Sequence, residues 1–360
     1  MKEREKYVDI VKAIAIIAVV ACHIKVSFDI YNINGFITLW RVPTLFIIGG
    51  FFLKDEKVLR PVSFVKHKIK TIYNYTIIVY LLALLLHNVF INIGWYSLDY
   101  EYSGKYVTYW TITDFAKNLI LAVFCAGREV ILGAMWFVYV LFIALCGFSI
   151  ISYIAKLIET EKLSFEKIRF AIIFILFVVA YIFTECGYNI PRLNNSFTAM
   201  WLIYIGFLLK NKWKVKFDKF WLAILCIVIV IGYMIFIGVN ISLNINLFND
   251  VISFTILELC AIYAVCYWSK HLSKTCVCDS LSLVGRNSFY IMAFHFVGFK
   301  VCNYVMELFG VSVDMAALVP NVDSNFFYWC VYLLFGVSIP LIMITLFRIV
   351  KGRLLYYIKS

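Results

Sequence analysis

Three ionisable side chains stand at helical spacing within the first apolar run of the chain, VDIVKAIAIIAVVACHI. Lys12 and His23 are about three helical turns apart, so one face of a helix carries both, with Asp9 beside them. Ionisable groups at membrane depth are rare, face the interior of a helix bundle and mark functional sites. An acid, a base and an imidazole along one stripe therefore predict a buried site for acid–base chemistry.

A second histidine lies in the apolar run SLVGRNSFYIMAFHFVGF. Gly285, Ser288, Met292 and His295 follow one another at intervals of three, four and three residues, so they share one helix face. Independent counting along the two helices places His23 and His295 at similar depth, near the middle of a hydrocarbon core about 30 Å thick. This agreement favours a shared intramembrane site.

Other charged residues within apolar runs are weaker candidates. Glu258 lies near mid-depth and is predicted to act as a proton acceptor or counter-ion, and Arg41 is predicted to bind an anionic group or pair with an acid. The adjacent Arg128 and Glu129 are predicted to form a local ion pair. Three further histidines are predicted to be ordinary surface residues: His67, His87 and His271.

The elements that must position these residues are membrane helices. The chain has 360 residues, of which 64% are hydrophobic and 15% charged, and this balance excludes an ordinary soluble domain. Its net charge of +12 does not indicate nucleic-acid binding, because the basic residues recur in short groups between apolar runs. The predicted fold class is an all-α, polytopic membrane bundle of about ten spans. These spans cover 7–24, 36–53, 71–93, 134–155, 169–186, 197–209, 220–238, 251–268, 284–308 and 326–348.

The distribution of charge predicts the orientation. Most of the 33 Lys and Arg residues fall between spans on one side when both termini are placed in the cytoplasm. The longest outer segment, 94–133, is rich in Trp and Tyr and includes a short apolar piece that we interpret as an interfacial or re-entrant helix. No linker or repeat divides the chain, so we expect one domain, 1–360, in the cell membrane.

Five segments, taken in order, resemble motifs of the acyltransferase 3 family of bacterial membrane acyltransferases. VDIVKAIAIIAVVACH resembles its opening D-x-x-[RK]-x10-H pattern, and VPTLFIIGGFF resembles P-x-F-F-x-x-S-G with Gly49 in place of serine. FVKHKIKTIYNY resembles a basic loop motif, from which Thr71 and Tyr75 depart. MWFVYVLF and VGRNSFYIMAFH resemble the W-F-x-x-x-L segment and the closing G-x-x-S-x-Y-I-x-x-x-H.

The resemblance implies transfer of an acyl group, usually acetyl, from cytoplasmic acyl-CoA to a carbohydrate acceptor or its lipid-linked precursor. It makes His23 the catalytic histidine, Lys12 its partner in the motif and His295 a second site residue. A neutral imidazole suits the removal of a hydroxyl proton near neutral pH. We expect acetyl-CoA as donor, contact with membrane lipid, no metal ion and no nucleic acid.

The remaining candidates divide by role. Glu258 joins the two histidines as a catalytic candidate. Those predicted to hold the donor are Lys12, Lys66, Lys68, Lys70 and Arg286. Those predicted to hold the acceptor are Arg41, Trp136 and Ser288. Two alternatives stay open: an acyl-histidine intermediate in place of direct transfer, and a transporter or flippase of lipid-linked sugars that uses the buried His, Glu and Arg as a relay.

Overall fold

A computed structural model describes residues 5–25, 33–102, 104–188, 190, 192–238, 241–322 and 325–359. The fold is a bundle of α-helices with one small hairpin of strands β1 (Glu101–Tyr102) and β2 (Lys105–Tyr106), which pair antiparallel. The helices are α1 (Lys6–Ala21), α2 (Ile33–Phe51), α3 (Asp55–Val58), α4 (Pro61–Lys68), α5 (Asn74–Asn92), α6 (Ile112–Val123), α7 (Trp136–Leu157), α8 (Phe165–Glu185), α9 (Leu193–Phe207), α10 (Phe220–Phe236), α11 (Val251–Leu272), α12 (Cys278–Arg286), α13 (Ser288–Leu308) and α14 (Phe326–Lys359).

Short irregular helical segments join some of these helices. The π-helical turn Ile69–Tyr73 makes α4 and α5 continuous, and a second π-helical turn, Leu208–Lys212, extends α9. A 3₁₀ segment, Val130–Met135, leads into α7.

Six stretches are long and apolar enough to cross a bilayer among the described residues, which confirms a multi-pass helical membrane protein. They are Pro61–Asn92, Val130–Leu157, Phe165–Glu185, Val251–Leu272, Ser288–Leu308 and Phe326–Lys351. Each of the ten predicted spans coincides with helical structure, although α1, α9 and α10 are shorter than 18 residues. The total of ten spans and the cytoplasmic termini stay predictions, and residues 1–4 and 360 lie outside the described part.

Local sequence accounts for several helix ends. Asp250 begins α11 because its carboxylate accepts hydrogen bonds from the backbone N–H groups of Ile252 and Ser253. Thr111 and Asp114 form a capping box that begins α6, the short helix predicted in the outer segment. The predicted ninth span, 284–308, is wrong in one respect: the helix breaks at Asn287, between α12 and α13.

The central element is α1, which packs against α2, α11, α12, α13 and α14 and is buried over most of its surface. Its contact with α12 is made at Gly285, where a Cβ atom would lie 1.7 Å from the carbonyl oxygen of Asp9. Only glycine allows this approach, and small residues commonly let membrane helices pack closely. The Gly285 contact therefore holds the first turns of α1 beside the helix that leads to His295.

We expect Gly285→Ala to destabilise the bundle by about 1–3 kcal/mol, because the added methyl group must push α12 away from α1. Thermal unfolding of the purified protein in detergent measures the effect. Gly232→Ala on α10 is the matched control, since a Cβ at that position meets no atom within 4 Å. Equal unfolding temperatures for the two variants would contradict the tight contact.

Candidate active site

His23 and His295 meet in the structure, a contact that their similar predicted depth favours but does not establish. His23 follows the end of α1 and His295 lies in the first half of α13, yet their ring centroids are 5.0 Å apart with an interplanar angle of 39°. The ring of Phe296 lies against both imidazoles, 5.1 Å from His23 and 4.1 Å from His295. His295 is fully buried and His23 is half-buried. The two imidazoles and Phe296 are called the histidine pair site below.

Backbone hydrogen bonds assign the same tautomer to both imidazoles. Nδ1 of His23 lies 2.8 Å from the carbonyl oxygen of Val19, and Nδ1 of His295 lies 3.1 Å from the carbonyl oxygens of Ile291 and Met292. A carbonyl oxygen can only accept, so each Nδ1 carries a proton and each neutral ring keeps its lone pair on Nε2. Nε2 of His295 is buried and has no hydrogen-bond partner within the described residues. The site therefore presents two proton acceptors.

The predicted continuous stripe on α1 is wrong in detail, because α1 ends at Ala21 and His23 lies in the turn beyond it. Lys12 and Asp9 lie near the opposite end of the helix. There Lys12 Nζ is 3.7 Å from the Asp9 carboxylate and 4.7 Å from the centre of the Phe52 ring. Lys12 is thus held at the other end of the helix from the imidazole, so it does not contact His23.

Arg41 joins the histidine pair site from α2. Its guanidinium Nη1 donates to the Val19 carbonyl oxygen at 3.4 Å, which is the same oxygen that His23 Nδ1 contacts. Its Nε is buried without a hydrogen-bond partner among the residues described. A cation is thereby fixed beside the imidazole, with donor capacity left for an oxygen atom of a ligand.

Glu258 is buried on α11, a helix that packs against α1 and α2. Neither carboxylate oxygen has a hydrogen-bond partner in the described part of the chain, so the structure does not join Glu258 to either histidine by a hydrogen bond. A buried carboxyl without a partner is costly as an anion. Its role as a proton acceptor stays a prediction.

Two of the three loop lysines line a basic pocket. The pocket encloses about 760 Å³ beside α4 and the following π-helical turn, and its basic side chains are those of Arg60, Lys66, His67 and Lys70. Tyr153 of α7 also lines the pocket. Lys68 is not among the lining residues; its Nζ lies 5.0 Å from the centre of the Phe64 ring. The pocket is large enough for a small ligand and suits an anionic one.

The other predicted site residues lie on three different helix ends. Arg286 is exposed at the end of α12, where its Nε donates to the Ser282 carbonyl oxygen at 3.2 Å. Ser288 begins α13, about two turns before His295. Trp136 begins α7, three residues after Gly133, at which a Cβ would lie 3.7 Å from the Phe296 ring.

A buried polar cluster that the sequence does not predict joins α5 to the outer segment. His87 and Glu129 are both buried, and His87 Nδ1 lies 3.1 Å from the Glu129 carboxylate. The Tyr96 hydroxyl donates to the same carboxylate at 2.6 Å. The predictions of a surface His87 and of a local pair between Arg128 and Glu129 are therefore wrong. In the sequence, the signal for this cluster is that His87 and Glu129 flank the Trp- and Tyr-rich segment between them.

This polar cluster positions a wall of the histidine pair site. The Tyr96 hydroxyl also accepts a hydrogen bond of 3.0 Å from the backbone N–H of Ile131, within the 3₁₀ segment. Two residues further on, Gly133 faces the Phe296 ring. The cluster thus holds the 3₁₀ segment against the ring that contacts both histidines.

Lys300 was also missed as a structural residue. It is buried on α13, and its ammonium group donates to three carbonyl oxygens, those of Trp95 at 2.9 Å, Met315 at 2.6 Å and Ala317 at 2.9 Å. Three donors therefore meet three acceptors, which compensates the cost of burying the charge. Lys300 ties two separate loops to the helix that carries His295.

Comparison with known proteins gives one match. The model of the acyltransferase 3 family, described as an acyltransferase domain, matches residues 5–346, nearly the whole chain. This match confirms the resemblance carried by the five motifs. No curated protein and no solved structure matches the chain.

Proposed function

Because the chain belongs to the acyltransferase 3 family, we propose that it transfers an acyl group, acetyl in the first instance, from acyl-CoA to a hydroxyl group of a cell-surface polysaccharide or its lipid-linked precursor. Family membership and the apolar helices support a multi-pass membrane acyltransferase rather than a transporter. The observation that carries the proposal is the contact between His23 and His295, each with Nδ1 bonded to backbone and Nε2 left as the proton acceptor.

The proposed reaction is direct transfer with His23 as general base. Its Nε2 removes the proton from the acceptor hydroxyl as that oxygen attacks the carbonyl carbon of the thioester. The carbon–sulfur bond then breaks, and the leaving thiolate takes the proton from the imidazolium, so the products are an ester and free CoA. Arg41, fixed beside His23, supplies a cation for the negative charge that develops on the carbonyl oxygen.

The proposed donor site is the basic pocket. Its cationic side chains suit the phosphate groups of CoA, and its volume of about 760 Å³ lies within the usual range for a small-ligand site. Lys12, held near the start of α1, is proposed to attract the donor on the same side of the membrane. We further propose that the protein resides in the cell membrane.

Chemical analysis of surface glycans tests the function. Cells that lack the protein should lose ester-linked acyl groups from one class of envelope glycan, and wild-type protein but not His23→Ala should restore them. Unchanged ester content in the deletion strain would contradict the proposal. Purified protein in lipid nanodiscs, given radiolabelled acetyl-CoA and the unmodified glycan, provides the direct assay of transfer.

Replacing both Lys66 and Lys70 with glutamine should raise the KM for acetyl-CoA about tenfold and leave kcat within about twofold of wild type. Two phosphate contacts of about 0.7 kcal/mol each account for this factor. Initial rates of CoA release against acetyl-CoA concentration measure it. Lys57→Gln is the matched control, because Lys57 is exposed on α3 and lies outside the pocket. An unchanged KM in the double variant would exclude this pocket as the donor site.

A further inference from the structure

A second groove lies at the opposite end of the bundle from the contact between Asp9 and Gly285. It encloses about 660 Å³ where the end of α13, the loop that follows and the start of α14 meet. Aromatic rings, amides and hydroxyl groups share its lining, which includes Ser312, Asn321, Asn325, Phe327, Tyr328 and Tyr332. This mixture of flat apolar faces and hydrogen-bonding groups differs from a purely lipid-facing surface.

One wall of the groove is joined to the segment that carries His23. Lys25 and Asn321 form a parallel β-bridge, in which the Lys25 N–H donates to the Pro320 carbonyl oxygen at 2.9 Å and the Val322 N–H donates to the Lys25 carbonyl oxygen at 3.1 Å. Lys25 is two positions after His23, a reach of at most about 7 Å of extended chain. The wall that contains Asn321 therefore lies close to the proposed general base.

The floor of the groove leads to the other histidine. The Tyr332 hydroxyl donates to the Asn303 side-chain oxygen at 2.6 Å, and the Asn303 amide donates to the Asp314 carbonyl oxygen at 3.2 Å. The Tyr332 ring packs edge-on against Phe299 at 6.1 Å, and Phe299 packs edge-on against His295 at 5.7 Å. A backbone bridge on one side and a chain of ring contacts on the other thus connect the groove to the histidine pair site.

We propose that this groove binds the sugar rings of the acceptor glycan and delivers one of its hydroxyl groups to His23. A sugar ring has an apolar face of C–H groups and a rim of hydroxyls. Aromatic faces carry partial negative charge and suit the first, while amides and hydroxyls donate and accept hydrogen bonds with the second. The inference rests on the proposed function, since it assigns the acceptor to a site separate from the donor pocket.

The groove is tested with soluble oligosaccharides, released by mild acid from the envelope glycans of the producing cell and mixed with the purified full-length protein in detergent. Saturation-transfer NMR reports which sugar protons contact the protein. The double variant Phe327→Ala, Ser312→Ala should lower the saturation transfer to the sugar protons at least fivefold. Both side chains are exposed, so both substitutions leave packing in place. Phe309→Ala is the control, because its ring is 81% exposed just after α13 but does not line the groove.

Unchanged saturation transfer to the sugar protons in the double variant would overturn the assignment. It would also be overturned if the wild-type protein transferred no saturation to the sugars, or transferred it only to lipid tails. Assays of acetyl-CoA consumption on the same samples separate this inference from the proposed function. Wild-type glycan acetylation by the double variant would refute the groove alone. Sugar binding in the groove by a protein that never consumes acyl-CoA would refute the acyltransferase mechanism alone.

Discussion

Replacing His23 with alanine should lower acyl transfer by about 10²–10⁴-fold, because it removes the proposed general base. The variant should still insert and fold, since His23 is half-buried beyond the end of α1 and contributes one backbone hydrogen bond. The measurement is the initial rate of CoA release with the acceptor glycan present. His271→Ala is the matched control, because His271 lies in the last turn of α11 among Tyr267 and Trp268. A rate within about threefold of wild type would end the catalytic assignment.

A second prediction concerns the combined substitution of His23 and His295. Its ring contacts His23, so the two residues should act as a unit, and the double variant His23→Ala, His295→Ala should be no slower than His23→Ala alone. Effects that multiply would instead mean that the two histidines act independently. A pulse of labelled acetyl-CoA without acceptor distinguishes direct transfer from an acyl-histidine intermediate, because only the latter leaves label on the protein.

Much of the helical framework can be predicted from the sequence, because an apolar run of sufficient length marks each predicted membrane span. The sequence also favours a shared site for His23 and His295, since counting residues from the charged helix ends places both at similar depth, but that count does not show that the two side chains meet. The two imidazoles lie in contact even though α1 ends before His23 and the predicted ninth span breaks at Asn287. Depth changes little when a helix ends one turn early.

The sequence does not predict which helices and loops contact each other, because the depth of a residue in the bilayer does not determine its neighbours at that depth. The contact of His87 with Glu129 joins α5 to a segment about forty residues later, and Lys300 joins loops near Trp95 and Met315. Local rules assigned Glu129 to its neighbour Arg128. Tertiary contacts of this kind leave no periodic signal in one chain.

The contacts of Arg169 are likewise not predictable from the sequence, although this residue has a large structural effect. In sequence it was one of many basic residues that set the topology. In the structure it is fully buried near the start of α8, where it donates to Asp55 at 2.7 Å and to Glu166 at 2.6 Å. Lys212 completes the network with contacts to the same two carboxylates, at 2.9 and 2.6 Å. Four rings surround the guanidinium: Phe148, Phe165, Tyr204 and Phe207.

The Arg169 network fixes the start of α3, after which the chain runs into the basic pocket. Asp55 begins α3, and Ser149 of α7 donates to the Val58 carbonyl oxygen at 2.5 Å at the end of the same short helix. Arg60, two residues further on, lines the pocket. The network therefore connects α8 and the turn after α9 to the proposed donor site.

Arg169→Met should lower the free energy of unfolding by about 2–4 kcal/mol, because it keeps much of the side-chain volume but leaves two carboxylates with a single cation and four rings without their charged partner. Lys167→Met, an exposed cation in the same turn, is the matched control and should change it by less than about 0.5 kcal/mol. Denaturant titration of the purified protein in detergent measures both. Equal stability of the two variants would contradict the structural role of the network.

The loss of stability in Arg169→Met should also depend on pH, and the pKa of Asp55 determines the direction of that dependence. Burial raises the pKa of this carboxyl, but its bonds to Arg169 and Lys212 outweigh burial and hold the pKa below the ordinary value. Its contribution to stability is therefore complete above the ordinary pKa of about 3.9 and is lost as pH falls through the lower folded value. The difference in stability between wild type and Arg169→Met should be constant from about pH 7 to 5 and shrink below about pH 4. A difference that grows on acidification would show that the Asp55 carboxylate is not what Arg169 stabilises.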